Sequence, residues 1–228
     1  MIFVTGDTHG DIDFSKLEKF GRFNADLTKD DYVIIAGDCG VLWSEETKNA
    51  YINMYSSLPF TVLFVDGNHE NFDMLNAYDV EMWQGGKVHK IADDIIHLMR
   101  GQVFEIDGKT IFTFGGARST DKSRRTEHES WWAEEMPNYD ELDEGILNLK
   151  PYNNKVDYVI THACDEKTLY YPPFITYGYA YTISLDNRIL SNFEDILTYK
   201  HWYFGHYHID RAIMEDKTCV YNHFYELT

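Results

Sequence analysis

The sequence predicts an α/β layered fold, on three observations. Short apolar runs alternate with stretches whose apolar residues recur at helical spacing. The first three of those runs each lead into a glycine: Gly6, Gly37 and Gly67. The 228 residues, 44% hydrophobic and 25% charged, have ordinary globular usage and suffice to bury a core without a disulfide or zinc staple. No repeat, low-complexity stretch or Pro/Gly/Ser linker divides them, so residues 1–228 are expected to form a single domain.

Residues 1–5 (MIFVT) form the first apolar run, and Phe14, Leu17, Phe20 and Phe23 follow at helical spacing. Residues 32–36 (YVIIA) read as a second strand. Ser44 is placed to cap a helix with Glu45 and Glu46 in its first turn. Tyr51, Met54, Tyr55 and Leu58 make that helix's apolar face, and Pro59 ends it. Residues 60–65 (FTVLFV) read as a third strand. Four short β-rich runs between 86 and 114 then predict an antiparallel section, with a turn at Asp107-Gly108. Asn138 with Glu141 resembles a capping box for a helix over 138–149, with Tyr139, Leu142, Ile146 and Leu149 facing inward. Residues 156–161 read as a strand. Ser184 then caps a helix bearing Leu185, Ile189, Phe193 and Ile196. A strand at 201–204 and two more short strands complete the reading.

Asp and Glu number 38 against 20 Lys and Arg, a formal charge of −18. Such a surface repels polyanions and argues against bulk nucleic acid as a partner. The one dense basic run is Arg118, Lys122, Arg124 and Arg125. Three cysteines, at 39, 164 and 219, make a poor disulfide framework and suit a reducing compartment. The beginning MIFVTGDTHG lacks the charge and long apolar stretch of a secretory signal, and no run approaches a membrane span. A cytoplasmic protein with no membrane contact is expected.

The metal-capable side chains fall at strand ends. Asp7 and His9 follow the first strand, Asp38 the second, and Asn68 and His69 the third. His162 ends the strand at 156–161, and His206 and His208 follow that at 201–204. Ligands of open α/β sheets bind beyond the carboxyl ends of the strands, so residues distant in sequence can meet there. Without His69 these are seven oxygen or nitrogen donors, too many for one four-coordinate ion but suited to two. Mixed imidazole and carboxylate ligands favour Mn, Fe, Zn or Ni over Ca or Mg.

Gly6-Asp7-Thr8-His9-Gly10, Gly37-Asp38, Gly67-Asn68-His69-Glu70, Thr161-His162-Ala163 and Gly205-His206-Tyr207-His208 together resemble the calcineurin-like metallophosphoesterase family. All five motifs stand in the family's order, spread over residues 6–208. The resemblance implies a four-layer α/β/β/α sandwich, two mixed sheets face to face with flanking helices, the run at 86–114 beginning the second sheet. It implies that Asp7, His9 and His208 hold one divalent ion, and Asn68, His162 and His206 another. Asp38 bridges the two, and His69 is the catalytic acid. Manganese is the expected metal. The implied reaction is hydrolysis of a small phosphomonoester or phosphodiester: a hydroxide bridging the metals attacks phosphorus, and His69 protonates the leaving oxygen. Two divalent ions against two carboxylates and a hydroxide leave the site slightly positive, which draws an anionic ester into an acidic protein.

The protein-phosphatase branch of that family continues GDxVDRG, whereas this chain reads Gly37-Asp38-Cys39-Gly40-Val41-Leu42-Trp43. That branch's phosphate-clamping arginine is absent, which weighs against the alternative of a Ser/Thr protein phosphatase. Arg118, in Gly115-Gly116-Ala117-Arg118-Ser119, is the candidate replacement. A non-catalytic scaffold on the same fold is a further alternative, opposed by the complete ligand set. His89, His97, His128, His201 and His223 are read as ordinary surface or hydrogen-bonded histidines. The Tyr-rich segment 169–181 and Trp131-Trp132 are read as packing. The acidic pair Glu134-Glu135 is read as a solvated face.

Overall fold

A computed structural model describes residues 1–171 and 182–228; of the Tyr-rich segment 169–181, residues 172–181 lie outside the described residues. Strands β1 (Ile2–Thr5), β2 (Tyr32–Ile35) and β3 (Thr61–Phe64) run parallel side by side. Between them come α1 (Ser15–Phe23) and α2 (Glu45–Ser56), and after them a short α3 (Phe72–Leu75). The hairpin strands β4 (Val80–Trp83), β5 (Gly86–Ala92) and β6 (Ile95–Leu98) extend the same sheet, because β6 pairs parallel with β3. Strands β7 (Gln102–Ile106) and β8 (Lys109–Phe114) open the second sheet. That sheet continues with β9 (Tyr158–Thr161), β10 (His201–Phe204), β11 (Arg211–Met214) and β12 (Lys217–Cys219). Between β8 and β10 stand α4 (Tyr139–Leu149), α5 (Glu166–Leu169) and α6 (Leu185–Ile196), and β13 (Tyr225–Glu226) returns to pair with β1. Among the described residues the strand orders are β13-β1-β2-β3-β6-β5-β4 and β11-β12-β10-β9-β8-β7, both mixed.

Side-chain alternation builds the layers. Val33 and Ile35 of β2 face a core shared with Leu17 of α1 and Tyr55 of α2. The neighbouring Ile34 and Ala36 face the other way, against Ile111, Ile160 and Phe104 of the second sheet. In β9, Val159 packs under Leu142 of α4 and Phe193 of α6. Three apolar layers thus separate helix, sheet, sheet and helix, which is the four-layer sandwich expected.

Three local expectations are corrected. Phe23 is 83% exposed, because it is the last residue of α1 and lies beyond the covered face. Tyr139 is likewise exposed at the first turn of α4. The antiparallel run at 86–114 is divided between two sheets: β5 and β6 finish the first, and only β7 and β8 begin the second. The chain also carries β4 and α3, and three rather than two short strands after β10.

Candidate metal centre

Five strands end at one edge and deliver the expected side chains there. Asp7 and His9 follow β1, Asp38 follows β2, Asn68 and His69 follow β3, His162 follows β9, and His206 and His208 follow β10. The glycine before Asp38 is a steric necessity: Gly37 has φ +93, and a Cβ there would stand 2.0 Å from His162 Nδ1. A Cβ on Gly67 would stand 2.0 Å from Asp38 Oδ1. His9, Asp38, His206 and His208 all adopt positive φ (47, 52, 66 and 52°), a conformation that costs a non-glycine residue energy and that clusters at functional sites. The Asp38 turn is held by Glu70, whose carboxylate accepts from Cys39 N at 2.7 Å and Gly40 N at 3.1 Å.

Two clusters result, Asp7–His9–His208 and Asp7–Asp38–His162, each with its ligand-capable atoms within 4.8 Å of one another. His162 donates from Nδ1 to the carbonyl of Ala36 at 2.8 Å. Its Nε2 is turned toward Asn68 Oδ1 (3.2 Å) and Asp38 Oδ1 (3.3 Å). On the other side His9 Nε2 lies 3.4 Å from Asp38 Oδ2, while its Nδ1 meets Asp13 Oδ2 at 3.0 Å. His206 stands beside His162, with ring centroids 5.0 Å apart. Its backbone N–H donates to Asp7 Oδ1 at 3.1 Å. His69 donates its backbone N–H to Asp38 Oδ1 at 2.7 Å.

Electrostatics favour a cation at this edge. Burial alone would lower the pKa of His162, yet the Asp38 and Asp7 charges outweigh it and push it up to about 10. Burial likewise opposes, and Asp38 overrides, the rise of His9 to about 9. Asp38 itself is buried, which would raise its pKa, but the surrounding histidines hold it well below the usual range. His206 is held down to about 4 by burial and by the charge of His162, so it stays a neutral donor. The sharpest observation is Asp7 Oδ2. It is buried and accepts no hydrogen bond among the described residues, although His208 Nε2 lies 3.1 Å away. A buried carboxylate oxygen that accepts no hydrogen bond is costly, and a divalent cation held between Asp7 and His208 would satisfy it. The donor set therefore fits metal ions.

Beside the metal-capable residues the basic loop contributes Arg125 rather than Arg118 to the contact with His69. Arg125 Nη2 lies 3.2 and 3.1 Å from the two ring nitrogens of His69. Its Nε is paired with Asp121 at 2.9 Å. Arg118 is exposed on the same loop and donates its backbone N–H to Asp186. Burial first, with help from Arg125, lowers the pKa of His69. Further supports were not singled out from the sequence. Ser119 accepts from Asn68 Nδ2 at 3.1 Å and donates to Glu135 at 2.5 Å. Glu135 is thus buried rather than on a solvated face, and burial pushes it up to about 7. Lys16 Nζ donates to the carbonyls of Gly6, Asp7 and Tyr221 at 2.9, 2.7 and 2.5 Å. Tyr221 stacks on His208 at 4.7 Å. For Asp13, on the irregular turn before α1, and for Lys16 and Tyr221 the sequence held no signal of these contacts.

The five histidines outside the motifs behave as ordinary residues. His89 and His97 bond each other in the core, His201 bonds Thr218, and His128 and His223 are exposed. Trp132 is fully buried packing.

The sequence model described as calcineurin-like phosphoesterase matches residues 1–210. No curated protein matches the chain in sequence. Similar solved structures include a suggested 5'-nucleotidase from Staphylococcus aureus (14% identity, 96% of this chain and 48% of that one, TM-score 0.48). Another is a protein of unknown function from Aquifex aeolicus (18% identity, 72% and 80%, TM-score 0.37). A third is a phosphopantetheinyl hydrolase from Mycobacterium tuberculosis (16% identity, 97% and 89%, TM-score 0.45). The chain spans about half the length of the first of these.

Proposed function

The chain belongs to the calcineurin-like phosphoesterase family, a family of metal-dependent phosphoester hydrolases, and from that premise we propose that it hydrolyses a small phosphomonoester or phosphodiester at the strand-end site. The observation that carries the reading is the pair of acid–histidine clusters that share the buried Asp7, one of whose carboxylate oxygens accepts no hydrogen bond among the described residues. In this reading Asp7, His9 and His208 hold one divalent ion, Asn68, His162 and His206 hold a second, and Asp38 serves both. Manganese is the ion we assign, although Fe, Zn and Ni suit the same donors. Such ions, when bound, polarise phosphoryl oxygens and lower the pKa of water. Three buried free cysteines suit a reducing compartment, and no helix among the described residues is long and apolar enough to cross a membrane. We assign the protein to the cytoplasm and read residues 1–228 as one domain.

The chain's own residues orient and protonate the substrate. His69, next to Asn68 and fixed by its backbone bond to Asp38, gives its proton to the leaving oxygen. Arg125 and, further out, Arg118 supply guanidinium contacts to phosphate oxygens.

The test is hydrolysis of 4-nitrophenyl phosphate and of bis(4-nitrophenyl) phosphate with added Mn²⁺. Activity is expected on at least one, abolished by chelation and lowered about 10²–10⁴-fold in His69→Ala. Arg125→Ala is expected to lose more kcat/KM than Arg118→Ala. The ratio of the two rates separates a phosphatase from a diesterase. Absence of activity on both esters, in protein that binds two metal equivalents, defeats the reading.

A further inference from the structure

The run Gly115-Gly116-Ala117-Arg118-Ser119 passes close to the metal-capable residues, and its last member touches one of them. The two glycines permit the approach. A Cβ on Gly115 would stand 2.2 Å from Asp66 Oδ1, and one on Gly116, at φ +84, would stand 2.8 Å from the carbonyl oxygen of Glu135. Glu135 is held at three points. Its carbonyl accepts from Ala117 N at 3.0 Å, its Oε1 from Trp132 N at 3.2 Å, and its Oε2 from Ser119 Oγ at 2.5 Å. Ser119 Oγ in turn accepts from Asn68 Nδ2 at 3.1 Å. Asn68, Ser119 and Glu135 are all buried.

We propose that Ser119 and Glu135 are positioning residues for the second ion: they hold the side-chain amide of Asn68 with its oxygen toward that ion. The inference rests on the phosphoesterase reading above and deepens its account of how the ion is held. An amide has an acceptor end and a donor end of nearly the same shape, and only the oxygen can ligate a cation. Two opposite orientations of Asn68 therefore compete. A hydroxyl has one proton to give. Ser119 gives it to the Glu135 carboxylate, which in its ionised form can only accept. Ser119 Oγ thus offers Asn68 a lone pair, which Nδ2 satisfies and Oδ1 would repel. Oδ1 is left facing His162 Nε2 at 3.2 Å, while His162 Nδ1 is occupied by the Ala36 carbonyl at 2.8 Å. Both ligand-capable atoms are set side by side by hydrogen bonds made on their far sides, which is how outer residues orient the ligands of a metal. Without Ser119 the amide is free to turn its N–H groups toward the ion, where they oppose its charge.

Calorimetric titration of metal-free protein with Mn²⁺ tests this. It is run at pH 8, above the value of about 7 to which burial raises Glu135, so that the carboxylate is ionised. Wild type is expected to take up two equivalents. Ser119→Ala is expected to keep one at wild-type affinity and to bind the other about 10–100-fold more weakly. Ser119→Thr, which restores a hydroxyl, is expected to recover it. Glu135→Gln, whose amide donates as well as accepts, is expected to weaken the same equivalent, and it carries the test should Ser119→Ala fold poorly. Electron paramagnetic resonance at two equivalents of Mn²⁺ reads the loss without reference to activity: the spin-coupled signal of wild type gives way to that of isolated Mn²⁺ in Ser119→Ala. A merely structural role would lower the unfolding temperature and leave both equivalents tight. Two equivalents bound at wild-type affinity by Ser119→Ala or by Glu135→Gln, or equal weakening of both, overturns the proposal. Uptake of a single equivalent by wild type overturns the two-ion reading and the proposal with it. Two equivalents bound, one of them weakened in the variants, with no phosphoester hydrolysed, leaves Ser119 and Glu135 assigned and overturns the phosphoesterase reading instead.

Discussion

Asp13 converts a metal-capable histidine into an oriented one. Its carboxylate takes the Nδ1 of His9 at 3.0 Å, which leaves Nε2 to face Asp38. Carboxylates in this position fix the tautomer of a ligating imidazole, and their loss typically costs 10–100-fold in metal affinity. Asp13→Asn is therefore expected to weaken Mn²⁺ binding by about that factor, while thermal unfolding of the metal-free protein stays nearly unchanged; equal affinity in a calorimetric titration would remove the idea. The contrast between His9 and Asp13 also shows which residues were legible. His9 was readable because its motif is local: a strand, a glycine and two ligands in five positions. Asp13 sits on an irregular turn before α1, where no periodicity announces a facing pair. Arg125 outranks Arg118 at His69 only because of the path of the loop between them, which neither charge nor spacing encodes. Glu135 was misread for a related reason. An acidic pair looks solvated until Ser119 and the Trp132 backbone, both donors, turn one member inward.

At the scale of elements, local chemistry was legible and long-range pairing was not. The capping box at Asn138 is present as read. Its side chain accepts from Asp140 N at 2.9 Å and Glu141 N at 3.0 Å, and Glu141 accepts from Asn138 N at 2.8 Å. Replacing such a cap with alanine costs about 1 kcal/mol, and in a chain of this size that corresponds to roughly 2–4 °C. Asn138→Ala should lower Tm by that amount with kcat/KM unchanged, since α4 lies on the outer face of the second sheet; a change in kcat/KM would mean the helix also positions the site. The run 86–114 gave hairpins correctly, because turn signals and alternation are properties of adjacent residues. Which sheet each hairpin joins depends on partners far away. Ile95, Ile96 and His97 sit opposite Val62, Leu63 and Phe64, a register set by the inter-sheet core rather than by anything near residue 95. β4 escaped notice because Val80, Glu81 and Met82 are exposed and lack a buried face.

Across the whole molecule, the buried polar network behind the site sets how the fold responds to acid. Asp66 accepts from Arg100 Nε at 2.8 Å and contacts His97 Nε2 at 3.2 Å, and His97 Nδ1 meets His89 Nδ1 at 3.1 Å. Burial, and then the charge of His97, hold His89 down to about 4. The unfolded chain takes up that proton near pH 6.5, while the folded chain refuses it until about pH 4. Between those values the unfolded state binds more protons, so stability falls as pH falls; above 6.5 the group contributes no slope, and below about 4 its penalty is constant. Burial would raise Asp66, but Arg100 and His97 override it and depress the carboxyl. Its contribution is therefore present above about pH 3.9 and lost below, as pH drops through the depressed value. The metal-capable histidines act in the opposite sense: His9 and His162 are raised and in metal-free protein lose their stabilising effect as pH rises. Wild type alone would mix these opposing slopes. The difference between wild type and His89→Gln, which keeps a hydrogen-bonding side chain but cannot titrate, isolates the first. Urea unfolding of metal-free protein at pH 7.5, 5.5 and 4.0 should show wild type losing stability relative to His89→Gln at each step down. A constant difference across that range would mean that His89 accepts its proton in the folded state, and that this network does not oppose acid.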